Sequence, residues 1–106
     1  LTDLVSMTYP GASGAEKMRN IISTVRNNPS LKSSLGPFDF TDFGEGVDGL
    51  PKSDVLRFKN DRVRILIRPS GTEPKMKIYY QIKADTADET VQMLNTIKKD
   101  IEAFLS

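Results

Sequence analysis

Arg62-Val63-Arg64-Ile65-Leu66-Ile67-Arg68 and, past a short connection, Met76-Lys77-Ile78-Tyr79-Tyr80-Gln81-Ile82-Lys83 decide how this chain folds. In the first stretch Val63, Ile65 and Ile67 alternate with Arg62, Arg64, Leu66 and Arg68. In the second, Met76, Ile78, Tyr80 and Ile82 alternate with Lys77, Tyr79, Gln81 and Lys83. Side chains on a strand point to opposite faces with a period of two, so each stretch predicts one apolar and one largely basic face. Two such strands joined by a short loop pair most simply as antiparallel neighbours.

The flanking sequence supplies the rest of a small domain. Asp54–Phe58 predicts a preceding strand, with Asn60-Asp61 as a hairpin turn. Near the start, Leu4–Tyr9 predicts a short strand ended by Pro10-Gly11. Ser13-Gly14-Ala15-Glu16 has the form of a capping box, and Met18, Ile21, Ile22 and Val25 follow at helical spacing. Asn27-Asn28-Pro29 stops that helix, because proline disfavours helical backbone at the residue before it. The predicted span is Gly14–Asn27. Residues 29–53 are rich in Gly and Pro, and Phe38, Phe40 and Phe43 mark the one strand candidate there. Phe38 and Phe40 alternate with Asp39 and Thr41, which places both rings on one face. Thr86-Ala87-Asp88-Glu89 is a second capping box, opening a helix whose inner side is Val91, Leu94, Ile97, Ile101, Phe104 and Leu105. The order is β-α-β-β-β-α. It predicts an α+β two-layer sandwich: a mostly antiparallel four-stranded sheet with two helices on one face.

A chain of 106 residues fits one domain, spanning 1–106, and its 38% hydrophobic and 27% charged content is that of an ordinary globular protein. No run approaches the ~20 apolar residues of a membrane helix, and no signal-peptide pattern opens the chain. The absence of cysteine rules out disulfides and thiolate chemistry and is compatible with the cytoplasm. The absence of histidine removes the commonest general base and metal ligand. Leu1 stands where a start Met would, so a piece of a longer protein is expected. The net charge of +1 is unevenly spread: from Asp54 to Ala84, eight Lys/Arg face three acids. That pattern points to a local anion site more than to a surface that coats polyanions.

Arg68-Pro69-Ser70-Gly71-Thr72-Glu73-Pro74-Lys75 has the residues such a site requires. A phosphate monoester carries close to two charges and several acceptor oxygens, so it needs charge-assisted donors that converge. Arg68 offers a planar fork, and Ser70 and Thr72 offer hydroxyls. Gly71, lacking Cβ, lets the backbone turn and present consecutive N–H groups to an anion. Pro69 and Pro74 restrict the loop on both sides, and Lys75 adds a charge at the rim. The same residue types also build plain turns between strands, with Arg68 as a solvated strand end.

The whole string resembles the phosphate-binding loop of the α-D-phosphohexomutases. The resemblance extends to Val5–Thr8, to the Gly11…Gly14-Ala15-Glu16-Lys17 helix start and to Leu50-Pro51-Lys52-Ser53-Asp54-Val55-Leu56. Pro74-Lys75-Met76-Lys77-Ile78-Tyr79-Tyr80 is most similar to the phosphoglucomutase–phosphopentomutase-like branch. Phosphomannomutase loops more often have Asn where Gly71 sits, and phosphoglucosamine mutases often have an aliphatic residue in place of Lys75.

The resemblance implies a fourth, C-terminal domain with a TATA-box-binding-protein-like architecture. It implies a parent enzyme that interconverts sugar 1-phosphate and 6-phosphate through a bisphosphate intermediate. In that scheme a phosphoserine of the first domain donates phosphate, Mg²⁺ in the second assists, and a loop of the third reads the sugar. Arg68, Ser70, Gly71, Thr72 and Lys75 would hold the phosphate that is not reacting. The implied ligands are glucose 1-phosphate, glucose 6-phosphate, glucose 1,6-bisphosphate or the mannose equivalents. The implied partners are the remaining three domains, with no membrane and no nucleic acid. Mg²⁺ and a sugar bisphosphate activator belong to the parent; no cofactor and no catalytic residue is expected here. The Thr-x-Ser-His-Asn-Pro-type nucleophile loop, the Asp-x-Asp-x-Asp-type metal loop and the sugar loop are all missing. The chain alone is therefore expected to be inert.

Other features have plainer readings. Asp39, Asp42, Glu45 and Asp48 recur every three residues as in a solvated acidic loop, rather than as metal ligands. Glu73 either steadies Arg68 or is an exposed acid. Tyr79 falls on the open face or in an interface with the missing domains, and Tyr80 falls in the core. Lys98-Lys99 is a solvated helix face. The basic face of Arg62, Arg64, Lys77 and Lys83 with Tyr79 leaves two alternatives: a nucleic-acid-binding module, or a structural docking domain. Against nucleic acid stand the low net charge and the absence of RNA-binding aromatic motifs.

Overall fold

A computed structural model describes residues 2–8, 11, 13–45, 55–69 and 75–105, with backbone alone for 2–7 and 45. The elements run β1 (Thr2–Thr8), α1 (Gly14–Asn27), β2 (Asp39–Asp42), β3 (Leu56–Lys59), β4 (Val63–Pro69), β5 (Lys75–Ile82) and α2 (Ala87–Leu105), with a 3-10 turn at Phe43–Glu45 after β2. One sheet takes the order β1-β5-β4-β3-β2, and every pairing is antiparallel.

The alternation in β4 and β5 does what its period requires. Val63, Ile65 and Ile67 stand opposite Ile82, Tyr80 and Ile78, and all six are buried. Leu56 and Phe58 of β3 extend these rows through their partners Ile67 and Ile65. Met18, Ile22 and Val25 of α1 and Met93, Ile97, Ile101 and Leu105 of α2 join the same cluster. Both helices therefore lie on one face of the sheet, and Tyr80 belongs to the core as expected.

The two-layer α+β class holds, with one strand added: β2 forms inside the turn-rich stretch and makes the order β-α-β-β-β-β-α. Aromatic packing explains it. The Phe40 and Phe58 rings lie 5.0 Å apart, and Phe58 meets Phe104 of α2 edge-on at 5.7 Å. Phe38 and Phe40 both pack against the core, on the shared face their alternation predicts. Arg26 in the last turn of α1 holds this edge strand through Asp42 (Nε to Oδ2, 3.1 Å). Asp42 is thus a structural ion-pair partner rather than a solvated acid. The Oδ1 of Asp42 accepts from the Gly44 N–H at 2.8 Å, and a side chain at Gly44 would crowd both groups.

Asn60 closes the β3–β4 hairpin. Its Oδ1 accepts from the Arg62 and Val63 N–H groups at 3.0 and 2.9 Å, and its Nδ2 donates to the Leu35 and Pro37 carbonyls at 2.8 and 3.2 Å. One side chain makes the turn and fastens the segment that leads into β2.

Three local expectations change. Ser13 makes no side-chain cap: its backbone sits at φ −95°, ψ 2°, not in the extended conformation that aims a hydroxyl at the first helical N–H groups. Thr86 does cap α2, accepting from the Glu89 N–H at 3.1 Å. Glu89, however, takes Arg62 at 2.6 Å instead of reaching back to the cap. On α2 the buried stripe is Met93, Ile97, Ile101 and Leu105; Val91, two positions out of phase, is 53% exposed. The predicted first residue of β3, Asp54, and the last of β1, Tyr9, lie outside the described residues.

Ile65 is fully buried at the centre of the sheet. Ile65→Ala is expected to lower the unfolding free energy by about 2–5 kcal/mol in a urea titration. Val91→Ala should stay within about 0.5 kcal/mol, as exposed positions do.

Candidate phosphate-binding site

Helices cover one face of the sheet; the register sorts the cations onto the other. Strand alternation puts Asp39 and Thr41 of β2, Arg57 and Lys59 of β3, and Arg64, Leu66 and Arg68 of β4 on that face. From β5 come Lys75, Lys77, Tyr79 and Gln81. The cross-strand rungs are Asp39–Lys59–Arg64–Gln81, then Thr41–Arg57–Leu66–Tyr79, then Arg68–Lys77. Tyr79 takes the open face, one of the two positions its phase allows.

The Arg68–Lys77 rung stands at the loop end of the sheet. Pro69 and Met76 form the last β4–β5 pair, so Ser70–Lys75 spans the gap between them. Residues directly opposite on antiparallel strands have Cα atoms about 4.5–5.5 Å apart, which brings the Arg68 and Lys77 side chains side by side. Lys75 lies two residues before Lys77 on the same face, and the register sets its backbone opposite Thr8 of β1. Three cations thus meet at the mouth of the loop. None of them is ion-paired to a carboxylate among the described residues. Arg68 is exposed, and Lys75 and Lys77 are half-buried.

Of the sequence-based site residues, the structure brings Arg68 and Lys75 to one end of the sheet. Ser70, Gly71 and Thr72, and Glu73 with them, lie outside the described residues. Lys77 is the addition. It was legible only as one of several basic-face residues; its place opposite Arg68 depends on a register that the loop length alone leaves open.

Residues 15–103 match the phosphoglucomutase/phosphomannomutase C-terminal domain family. The chain belongs to that family. Among curated relatives it is 33% identical to a phosphoglucomutase of Staphylococcus aureus (strain MRSA252) over 89% of this chain and 19% of the relative. It is 31% identical to a phosphoglucomutase of Staphylococcus saprophyticus over 80% of this chain and 18% of the relative. A phosphoglucomutase of Staphylococcus epidermidis is 32% identical over 87% of this chain and 19% of its own length. The chain thus spans about a fifth of the length of the relatives it matches. The family's matched region contains the whole of β4, the loop and β5.

Among the described residues no three His, Cys, Asp or Glu side chains converge to hold a metal ion, and no helix is long and apolar enough to cross a membrane. The donors at the loop end suit an anion.

Because Arg68 and Lys77 stand on the open face without a described carboxylate partner, truncating them should cost the fold little. Arg68→Ala and Lys77→Ala are each expected to shift unfolding by less than about 0.5 kcal/mol. A larger loss in chemical denaturation would assign them a structural role instead.

Proposed function

We propose that this domain grips the non-reacting phosphate of a sugar phosphate, within a larger cytoplasmic phosphoglucomutase that interconverts sugar 1-phosphate and 6-phosphate through a bisphosphate. The carrying observation is the meeting of Arg68, Lys77 and Lys75 at the mouth of the loop on the helix-free face. The Arg68 fork engages two phosphate oxygens, Lys77 and Lys75 supply point charges beside it, and Ser70, Gly71 and Thr72 add hydroxyl and backbone donors. Family membership and relatives bearing the phosphoglucomutase name support the reading.

The role is binding and orientation. Grip on the remote phosphate persists through the transition state and holds the other end of the sugar at the reacting group, which the rest of the polypeptide supplies. Mg²⁺, implied for the parent enzyme, finds no group of three His, Cys, Asp or Glu ligands among the described residues. Glucose 1-phosphate, glucose 6-phosphate and glucose 1,6-bisphosphate, or their mannose equivalents, carry the phosphate group that this loop reads.

Isothermal calorimetry with glucose 1,6-bisphosphate tests the reading. Charge-assisted hydrogen bonds contribute about 1.5–3 kcal/mol, so Arg68→Ala should weaken binding by roughly 10-fold or more. Binding should also weaken with rising salt. Affinity unchanged by Arg68→Ala would overturn the proposal, and mutase turnover by the purified 106-residue chain would contradict its purely binding role.

A further inference from the structure

The β2–β3 side of the open face, beside the β4–β5 pair that leads into the loop, is cationic too. Lys59 and Arg64 form one rung, and Arg57, Leu66 and Tyr79 form the next. Asp39 is the one carboxylate on this face among the described residues of β2 to β5. A hollow of about 320 Å³ runs along this side, lined by Arg64, Leu66 and Arg57 and, level with Arg68, by Val55 and Phe43. The Arg57 guanidinium lies 5.1 Å from the centre of the Phe43 ring and donates through Nη2 to Thr41 at 3.3 Å. Its Nε is buried without an acceptor among the described residues. Among the described residues Arg64 has one long contact, to Gln81 at 3.4 Å.

Apolar walls with two under-used guanidinium groups have the composition of the centre of a protein interface, where Arg and aromatic residues are enriched. A carboxylate matches the Arg fork in charge and in planar geometry. We infer that the β2–β3 side of the open face docks an acidic surface on the remaining four-fifths of the polypeptide, with one carboxylate side chain seated between Arg57 and Arg64. The inference rests on the reading of the chain as part of a longer phosphoglucomutase, but not on phosphate binding by the loop. Charge complementarity selects an acidic occupant, and the mixed rung of Arg57, Leu66 and Tyr79 favours a folded protein surface over a uniformly charged polyanion.

Lysine acetylation followed by mass spectrometry tests it, comparing the 106-residue chain with the full-length polypeptide that carries it, both without sugar phosphate. Lys59 should react several-fold more slowly in the full-length polypeptide, while exposed Lys99 on α2 reacts equally in both. Arg64→Glu in the full-length polypeptide should return Lys59 to its rate in the isolated chain. Equal Lys59 rates in the two unsubstituted proteins would overturn the inference. So would protection that Arg64→Glu leaves unchanged, or equal protection of the isolated chain by a single-stranded oligonucleotide at physiological salt. With no sugar phosphate present, failure here is separate from failure of the phosphate reading, which the Arg68→Ala calorimetry probes.

Discussion

The pairing of β4 with β5 in one register fixes both layers of this domain. With Ile65 opposite Tyr80 and Ile67 opposite Ile78, four large side chains enter the core from the central strands. The same register leaves Arg68 opposite Lys77 on the other face. Because strand side chains alternate, a slip of one residue in either strand would carry its apolar set into water and its cations under the helices. Burial of the core rows therefore enforces the convergence of charge at the loop. The anion grip proposed for this end of the sheet would then be a by-product of hydrophobic packing on the opposite side of the same two strands.

That coupling also explains which parts were legible beforehand. Period-two alternation in residues 62–68 and 76–83 and the helical stripe Met18, Ile21, Ile22 and Val25 read directly, since burial is their sole cause. β2 was harder. Only four residues long and flanked by Gly and Pro, it depends on Phe40 meeting Phe58, a contact distant in sequence. The caps divide on local backbone: Thr86 engages its helix, whereas Ser13, at φ −95° and ψ 2°, makes no side-chain cap bond. Arg68 and Lys75 stood out by their place in the loop string; Lys77 required the register.

Charge distribution unites the two proposals. Six cations occupy the helix-free face from β3 to β5, in a chain whose net charge is only +1. Among the described residues such a face is under-neutralised; in a polypeptide of the relatives' length, about five times this one, the two proposals supply its complements. A phosphate dianion suits the loop end, where exposed Arg68 leads. A carboxylate from a neighbouring surface suits the β2–β3 side, where Arg57 is stacked and half-buried. One sheet face would then both hold substrate and join the domain to its enzyme, so that docking sets where the gripped phosphate lies.

A 1H–15N NMR titration of the 106-residue chain with glucose 1,6-bisphosphate tests the central claim most directly, because it locates the ligand residue by residue. Saturable amide shifts centred on residues 68–77 are expected, with the α1 and α2 amides still. Shifts scattered along the sheet face or over the helices, or none at millimolar ligand, would contradict that claim.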